Sequence, residues 1–506
     1  MFKGFVKSMK SYLREYLNTG RKRYLSDGGV LKKKAETKVL KLFHEASRKV
    51  PAYKDFLKKN MIKPERVKSI DDFRKFVPPT SKENYIQKYP LKERCWDAKL
   101  TETHTFAVSS GSTGEPIFWP RGIDQEIEGA KIHELLLDKV FDVYKRKTLF
   151  INSFGLGNWI AGMYTEMCLY LLRLREVPFT LASPGYSQEE TFKVVKAFSR
   201  YYDQTIIACH PPILKIMVEN GKEEGIDWPK LCVKFLGAGE GFSENWRDYF
   251  SSLVDQTDIL RTIINIYGSA DAGLMGFETP LSIMLHRESS ISRSLNELLF
   301  RSARTPFLYQ FDPTTKYLEG SVENEIMITM NATAPLVRYN IHDQGGTIGN
   351  FGLLEIIEDH SNNIFQGLKD NGVNVKDWQF PFIYVFGREQ FMTSLYGVNI
   401  YPENIKASLE HRLLQPFLTG RFIAEKKVDE NQNQYLLLRV ELRPKIRGSQ
   451  EIRNRTIKLF TETFKKLNSE YNQVEQKYKE RMHPKVVLCK FQDSKYFPEG
   501  KVRKMA

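Results

Sequence analysis

Short apolar runs alternate with amphipathic stretches from about residue 105 to residue 340, and this alternation restricts the fold more than any other feature. The apolar runs are TLFINSF, VPFTLAS, QTIIACH, VKFLGAG and IINIYG, and the helical stretches are 123–143, 189–202 and 243–255. Strands that alternate with helices in this way are typical of an α/β sheet. At 506 residues, the chain is too long for one simple core, which predicts roughly two to four domains or subdomains.

After Gly387 the pattern becomes that of an independent, smaller α/β unit. It predicts, in order, a strand at NIYP, a helix near 403–413, a strand pair RFIAEKKV and QYLLLRVEL, a long helix over 449–482 and a strand at VVLCKF. The boundary between the two units is expected near residues 387–392. Upstream of both, residues 35–60 are predicted to be helical, with a stop at the Val50–Pro51 pair, because a residue before proline disfavours the helical conformation.

The net charge of +15 is concentrated at the two ends of the chain. Residues 1–34 carry an excess of +8 and residues 441–506 an excess of +9, which leaves residues 35–440 at −2. This nearly neutral middle argues against nucleic acid as a partner. Residues 1–34 are predicted to begin with a basic amphipathic helix, because apolar side chains recur at helical spacing among lysines. Packing of this helix on the body is favoured over weak docking on a membrane surface.

The five cysteines are scattered, with no CxxC pair and no short cysteine–histidine cluster. Neither a disulfide framework nor a zinc site is therefore indicated, and a reducing, cytoplasmic compartment is expected. The first residues lack the apolar core and cleavage site of a secretory signal. The sequence predicts a soluble protein and leaves a homodimer open.

Five stretches carry residue types suited to nucleotide chemistry. AVSSGSTGEP (107–116) offers hydroxyls and backbone N–H groups for phosphate oxygens, although a Ser/Gly run is equally common in surface turns. NIYGSADAG (265–273) ends an apolar run with a carboxylate suited to Mg²⁺. The others are PLVRYNIHD (335–343), GREQ with LYGVNIYPENI (387–405) and FPEGKVRKMA (497–506), whose lysine suits a developing negative charge but equally suits a solvated tail.

In this order, the five stretches resemble the adenylate-forming superfamily of AMP-binding enzymes and acyl-CoA synthetases, in particular its phenylacetate-coenzyme A ligase-like branch. The resemblance extends from about residue 36 and includes VPAYKDFL (50–57), FGLGNWIAG (154–162) and GAGE (237–240). It implies a large N-terminal α/β domain with a small, mobile C-terminal α/β lid. The domains are accordingly expected at 1–34 (N-terminal helix), 35–387 (AMP-binding domain), 388–392 (hinge) and 393–506 (lid).

The resemblance also implies roles for individual residues. Ser109, Ser110, Gly111, Ser112, Thr113 and Gly114 match the phosphate loop. Gly237, Ala238, Gly239, Glu240, Tyr267 and Gly268 match the adenine-binding segments, Asp343 the ribose-binding aspartate, and Arg388 a ribose- or phosphate-contacting arginine. Asp271 stands at the metal-binding position, Gln390 at the hinge, and Lys501 at the catalytic lysine that bridges the carboxylate and the α-phosphate. ATP, Mg²⁺ and coenzyme A are the implied cofactors.

Several residues depart from the pattern of the family. Glu115 replaces a lysine after the phosphate loop, and Ala270 replaces a threonine that touches the α-phosphate. Asp271 is one methylene shorter than the usual glutamate, His342 takes the place of a glycine, and Gln390 that of an aspartate. A carboxylate at Glu115 repels a triphosphate unless a cation bridges the two. These departures make a weakly active member or one with an altered substrate plausible.

An acyl-binding pocket is expected within residues 151–170. Phe154, Trp159 and Tyr164 are its candidate lining residues, and His210 is a candidate aromatic gate. The alternatives, aromatic side chains that belong to the ordinary core and a hydrogen-bonded core histidine, carry equal weight.

The sequence thus predicts an ATP-dependent acid–thiol ligase, in which a carboxylic acid, expected to be aromatic, forms an acyl-adenylate with release of pyrophosphate and then a coenzyme A thioester. One alternative transfers the acyl group to an amine, a hydroxyl or a protein thiol, as in polysaccharide or natural-product biosynthesis. Another alternative is a catalytically weak nucleotide-binding scaffold. The sequence names neither the acid nor the acceptor.

Overall fold

A computed structural model describes most of the chain, which divides into two compact units. It covers Tyr16 and residues 28–109, 117–157, 160–302, 305–360, 362–387, 393–400, 402–409 and 411–497. The first unit comprises residues 1–108, 118–209 and 216–387. The second comprises residues 109–117, 210–215 and 388–506.

The strands are numbered in chain order. They are β1 Thr105–Ser109, β2 Ile117–Arg121, β3 Thr148–Asn152, β4 Phe179–Ala182, β5 Gln204–Cys209, β6 Val233–Ala238, β7 Ile263–Ser269, β8 Gly273–Phe277, β9 Phe307–Gln310, β10 Tyr317–Gly320, β11 Glu325–Met330, β12 Leu336–Ile348, β13 Phe382–Gly387, β14 Thr393–Leu395, β15 Val398–Ile400, β16 Leu418–Val428, β17 Gln434–Leu442 and β18 Lys485–Cys489.

The α-helices are numbered in the same way. They are α1 Gly28–Lys49, α2 Pro51–Lys59, α3 Ile70–Phe76, α4 Leu91–Arg94, α5 Ile123–Lys139, α6 Ile160–Leu174, α7 Gln188–Phe198, α8 Pro211–Glu223, α9 Glu244–Leu253, α10 Ile259–Thr262, α11 Pro280–Ile291, α12 Arg293–Phe300, α13 Asn350–His360, α14 Asn362–Asp370, α15 Pro402–Leu409, α16 Gln450–Leu467 and α17 Ser469–Tyr478.

The first unit is built on a large mixed sheet, which confirms the predicted α/β class. The strand order is β10-β11-β12-β13-β9-β8-β7-β6-β5-β3-β4. Strands β3 to β7 pair in parallel, and the strands from β7 through β8 to β10 pair antiparallel. Strands β3, β5 and β6 are buried along their whole length, and accordingly they are mainly apolar in sequence without a regular alternation of polar residues.

The three predicted helices of the alternating region are present, although each of them ends earlier than predicted. The predicted helix over 123–143 stops at Lys139, that over 189–202 at Phe198, and that over 243–255 at Leu253. Helices α7 and α9 begin after Ser187 and Ser243, whose hydroxyls accept hydrogen bonds from backbone N–H groups of the first turn. Such caps satisfy donors that have no partner inside the helix.

The beginning of the chain differs from the predicted boundary at residues 34 and 35. That boundary lies inside α1, whose residue Leu31 is buried in the core of the first unit. The helix does end before Pro51, as predicted. The predicted amphipathic helix at the N-terminus lies outside the described residues apart from Tyr16, which is buried beneath the guanidinium of Arg175.

The second unit contains a β14–β15 hairpin and a three-stranded sheet in the order β16-β17-β18. The predicted strand pair is confirmed, with β16 and β17 antiparallel and β18 parallel to β17. The predicted single helix over 449–482 is wrong, because it breaks into α16 and α17 at Asn468. The side chain of Asn468 accepts a hydrogen bond from the Tyr471 backbone N–H (2.9 Å) and so caps the second helix.

Among the described residues, no helix combines the length and the apolar character that a membrane crossing requires.

Candidate functional site

Predicted site residues follow several neighbouring strands of the large sheet at the same edge. Strand register pairs Gly237 of β6 with Asn265 of β7, and Ala238 with Ile266. Because the two strands are parallel, their carboxyl ends lie at the same edge of the sheet, with β7 continuing past the end of β6 to Ser269. In α/β sheets this edge is where ligands bind.

The central contact of the site joins two predicted residues that are far apart in sequence. The Tyr267 hydroxyl donates a hydrogen bond to the Asp343 carboxylate (2.6 Å). The Tyr267 ring is also stacked on that of Tyr309, with centroids 5.6 Å apart and planes at 20°. The structure thus brings the expected base-stacking and ribose-binding residues together, and it adds Tyr309, which the sequence analysis missed.

Two glycines of the site have conformational reasons to be glycine. Gly239, directly after β6, has φ = 93°, a backbone conformation that side chains with a Cβ atom rarely adopt. A Cβ at Gly268 would lie 2.8 Å from the Gly273 carbonyl oxygen across the β7–β8 hairpin. The first glycine allows the turn after β6, and the second allows the tight hairpin that carries Asp271.

Asn265 is a further candidate that the sequence analysis did not single out. It is 2% exposed, and its Nδ2 donates to the Glu240 carbonyl (3.0 Å) and to the Tyr309 hydroxyl (3.3 Å). Its Oδ1 is buried and makes no hydrogen bond within the described part of the chain. A buried acceptor without a partner is costly, so Asn265 offers a position for a ligand donor. In the sequence, Asn265 is the polar first residue of the NIYG run, and this is the signal that could have identified it as a candidate.

Asp271 lies in the turn between β7 and β8, and its residue is 7% exposed. The described residues hold no group of three or more acidic, histidine or cysteine side chains placed to bind a metal ion. Mg²⁺ at nucleotide sites is commonly held by one or two carboxylates together with phosphate oxygens. A single buried carboxylate therefore fits an ion shared with a nucleotide and does not fit an ion held by the protein alone.

His342 stands where the sequence resemblance implies a glycine, and its backbone conformation is one that favours glycine. Its φ is 60°, in the left-handed region, where a glycine is the least strained residue. The imidazole lies between Glu83 (Nε2–Oε2 3.2 Å) and Glu325 (Nδ1–Oε1 3.3 Å). Around this residue the β11–β12 register shifts, so that Asp343 leaves the regular ladder. Such bulges redirect a side chain.

A buried network of charged side chains links α9, the helix that follows β6, to Glu278 and to α11. Arg247 contacts Glu244 (2.9 Å) and Glu278 (2.7 Å), and the His286 ring contacts Glu244 (2.7 Å). Burial opposes ionisation of Glu244, but the charge of Arg247 and the hydrogen bond from His286 outweigh it and lower the pKa of Glu244 to about 2. Burial raises the pKa of Glu278 despite its pairing with Arg247.

The candidate acyl-pocket residues have mixed placements. Phe154 and Tyr164 are buried in the core of the first unit. Tyr164 packs beneath the Arg121 guanidinium (4.6 Å to the ring centroid) and would be 2.9 Å from a Cβ at Gly273. Tyr164 therefore contacts the hairpin that carries Asp271, whereas Phe154 packs inside the core. His210 follows β5 directly and is 6% exposed.

The remaining predicted residues lie outside the described part of the chain. These are Ser110, Gly111, Ser112, Thr113, Gly114, Trp159, Arg388, Gln390 and Lys501. Ser109 is described as the last residue of β1. The roles of Ser109 and of the residues outside the described part stay predictions.

Comparison with solved structures identifies the fold. A crystal structure of 2-hydroxyisobutyryl-CoA ligase, in complex with 2-HIB-AMP and CoA in the thioesterification state, matches with a TM-score of 0.63 and 14% identity, over 93% of this chain and 89% of the ligase. The chain has the adenylate-forming fold. An open conformation of the same ligase with 2-HIB-AMP and CoA matches with a TM-score of 0.51 and 14% identity, over 93% and 90% of the two chains. No family model matches the sequence, and no curated protein matches it.

Proposed function

We propose that the protein is an ATP-dependent ligase of the adenylate-forming superfamily, which activates a carboxylic acid as an acyl-adenylate and transfers the acyl group to coenzyme A. The observation that carries this proposal is the contact between Tyr267 and Asp343. It joins an aromatic surface for a base to a carboxylate for ribose hydroxyls at the expected edge of an adenylate-forming fold.

The described residues supply distinct parts of a nucleotide site. Tyr267 offers an aromatic face, and Asn265 Oδ1 offers an acceptor for the exocyclic amine of adenine. The carboxylate of Asp343 has the paired acceptors that suit two ribose hydroxyls. Asp271 would hold a Mg²⁺ ion that, when bound, offsets charge on the phosphate oxygens.

Two further parts of the proposal rest on the sequence resemblance. The hydroxyls of Ser112 and Thr113 would bind the leaving phosphates, and Lys501 would stabilise the charge that develops when the acid attacks the α-phosphate. The acid is expected to be aromatic, as in the phenylacetate-coenzyme A ligase-like branch. The protein would act in the cytoplasm.

The proposal is tested with a panel of aromatic, aliphatic and hydroxylated acids in a pyrophosphate-release assay, with and without coenzyme A. We expect release of pyrophosphate that depends on ATP and on one class of acid, and formation of an acyl-CoA. Lys501→Ala is the matched control. It should lower the adenylation rate by roughly 10²- to 10³-fold while ATP binding persists, because the lysine acts on the transition state.

The assay also separates the alternatives. Pyrophosphate release without a thioester would assign another acceptor, such as an amine, a hydroxyl or a protein thiol. ATP binding without pyrophosphate release for any acid would contradict the ligase and assign the nucleotide-binding scaffold.

A further inference from the structure

Asn265 is fixed by hydrogen bonds at nearly every polar atom. The Glu278 carboxylate accepts a hydrogen bond from the Asn265 backbone N–H (2.7 Å), and the Glu278 backbone N–H donates to the Asn265 carbonyl (2.9 Å). The Asn265 side-chain Nδ2 is held by the Glu240 carbonyl and the Tyr309 hydroxyl. Within the described residues, only Oδ1 is left without a hydrogen bond.

The Glu278 carboxylate accepts a backbone hydrogen bond that the carbonyl of a neighbouring strand would accept elsewhere in the sheet. Strands β7 and β8 pair from Ile266 and Phe277 onwards, and the next backbone donor along β7 belongs to Asn265. The chain turns into α11 after Thr279, the N-cap of that helix. The Glu278 side chain replaces the missing strand partner at this point.

Glu278 is itself held rigidly. It is 4% exposed, and its second carboxylate oxygen accepts a hydrogen bond from Arg247 Nη2 (2.7 Å). Arg247 is fully buried and also donates to the Ile263 carbonyl (2.6 Å) and to both oxygens of Glu244 (2.9 and 3.2 Å). Glu244 begins the helix that follows Glu240 in the chain. The contacts form a closed ring around the segment after β6.

We infer that Glu278 is a positioning residue for nucleotide-base selectivity, which holds Asn265 so that its Oδ1 accepts a hydrogen bond from the exocyclic amine of adenine. The inference rests on the proposed function, because it assumes that the base lies beside Tyr267. A hypoxanthine base presents a carbonyl where adenine has an amine, and that carbonyl would face the Oδ1 acceptor without a proton between them. The site is therefore selective for ATP over inosine triphosphate (ITP).

Calorimetric titration of the full chain with ATP and with ITP tests the inference without use of catalysis. The wild-type protein should bind ATP roughly tenfold or more tightly than ITP, the value of about one hydrogen bond. In Glu278→Gln the amide oxygen should accept the hydrogen bond from the positively charged Arg247. The amide NH₂ group then faces the Asn265 backbone N–H, and because both are donors this contact is lost. In Glu278→Asp the carboxylate is one methylene too short to reach both partners. Each variant should lower the ATP-to-ITP affinity ratio to within about threefold of unity.

Asp248→Asn is the matched control. Asp248 belongs to the same charge network through Arg287 (2.8 Å), but its side chain is 46% exposed and it is not among the hydrogen-bond partners of Asn265. This variant should keep the wild-type ratio. Either Glu278 variant alone decides the result, so failure of one to fold leaves the other as the test.

Three results would overturn the inference in a protein that binds ATP. They are a wild-type protein that binds ATP and ITP equally, a folded Glu278 variant that keeps the wild-type ratio, and variants that weaken both nucleotides by the same factor, as a merely structural role predicts. A protein that discriminates as expected but releases no pyrophosphate with any acid contradicts the proposed ligase and leaves Glu278 as a positioning residue. A protein that binds no ATP overturns both.

Discussion

Tyr267 and Asp343 depend on each other at the scale of single residues. The tyrosine hydroxyl orients the carboxylate (2.6 Å), and a charge-assisted hydrogen bond of this kind is among the stronger contacts in proteins. The pair therefore fixes the carboxylate before any ligand arrives. Pre-organised groups bind more tightly because less ordering remains for the binding step.

Substitution of this pair should weaken ATP binding. Asp343→Ala leaves two ribose hydroxyls without acceptors and should raise the Kd for ATP by roughly tenfold or more. Tyr267→Phe keeps the aromatic face but removes the donor, so it should raise the Kd by a smaller factor. The double variant should bind about as weakly as Asp343→Ala alone, because the two residues act together. Unchanged ATP affinity in Asp343→Ala would rule out its role in ribose binding.

His133 predicts the pH dependence of stability at the same scale. It is fully buried on α5, its Nδ1 lies 2.9 Å from the Gly129 carbonyl oxygen, and burial lowers its pKa from 6.5 to about 4. Between these two values the unfolded chain binds a proton that the folded chain does not. The contribution of His133 to the free energy of unfolding should therefore decrease by about 2 kcal/mol as the pH falls from 7 to 5.

Urea titrations at pH 7 and pH 5 measure this contribution. His133→Leu removes the titrating group and is the comparison. We expect the loss between pH 7 and pH 5 to be smaller in the variant by about the same 2 kcal/mol. An equal loss in both proteins would show that folding does not lower the pKa of His133.

Strand β12 illustrates how a single element shapes the site. Its bulge places Asp343 outside the regular ladder, and the left-handed conformation of His342 makes the bulge. The His342 backbone N–H is held by Asn340 Oδ1 (2.8 Å), and Asn340 Nδ2 donates to Glu325 (2.5 Å). The contacts of the His342 ring with Glu83 and Glu325 are partly exposed, with 67% of the Glu83 side chain accessible, so they contribute little to stability.

Substitutions at His342 should follow the backbone requirement. His342→Gly and His342→Asn accept a positive φ and should leave the free energy of unfolding within about 0.5 kcal/mol of wild type. His342→Val places a β-branched residue in the left-handed region and should cost about 1–2 kcal/mol. Urea denaturation of the three variants gives this order. Equal stability of the valine and glycine variants would mean that β12 relaxes out of the left-handed conformation.

The whole molecule depends on the start of α1 for its first unit. Leu31 is 6% exposed and lies in the main core, together with Tyr16, which is 2% exposed. Helix α1 also donates from Lys38 Nζ to the Thr314 carbonyl (2.7 Å). The N-terminal segment is thus expected to affect stability rather than the residues proposed to bind the nucleotide.

Two truncated chains test this contribution. A chain that begins at Ala35 loses Leu31 and more than one turn of α1, whereas a chain that begins at Gly28 keeps both. The Ala35 chain should be less stable than the Gly28 chain by about 2–4 kcal/mol, the usual cost of removing a buried leucine. Both should still bind ATP at a temperature at which they are folded. Equal melting temperatures would show that Leu31 and the first turns of α1 do not stabilise the first unit.

Much of the fold could be predicted from the sequence because its information is local. Apolar runs mark the buried strands of the large sheet, and the Val50–Pro51 pair ends α1 as expected. Local pattern failed at Asn468, where helical periodicity continues through the break. The asparagine there caps α17 and also donates from Nδ2 to the Asn399 carbonyl (2.9 Å), a contact that no sequence window contains.

The sequence alone determined the α/β class and the alternating strands and helices of the parallel part of the large sheet, and it offered Tyr267, Asp271 and Asp343 as candidates. Only the tertiary structure decided which distant residues meet, because hydrogen-bond partners across a sheet depend on register and topology. It joined Tyr267 to Asp343, stacked the ring of Tyr309 on that of Tyr267, and held Asn265 by hydrogen bonds to Glu240 and Glu278. It also showed that the residue before Asp343 adopts a left-handed conformation. The left-handed backbone at that position forms when β12 bulges away from β11, which no local pattern of apolar and polar residues records.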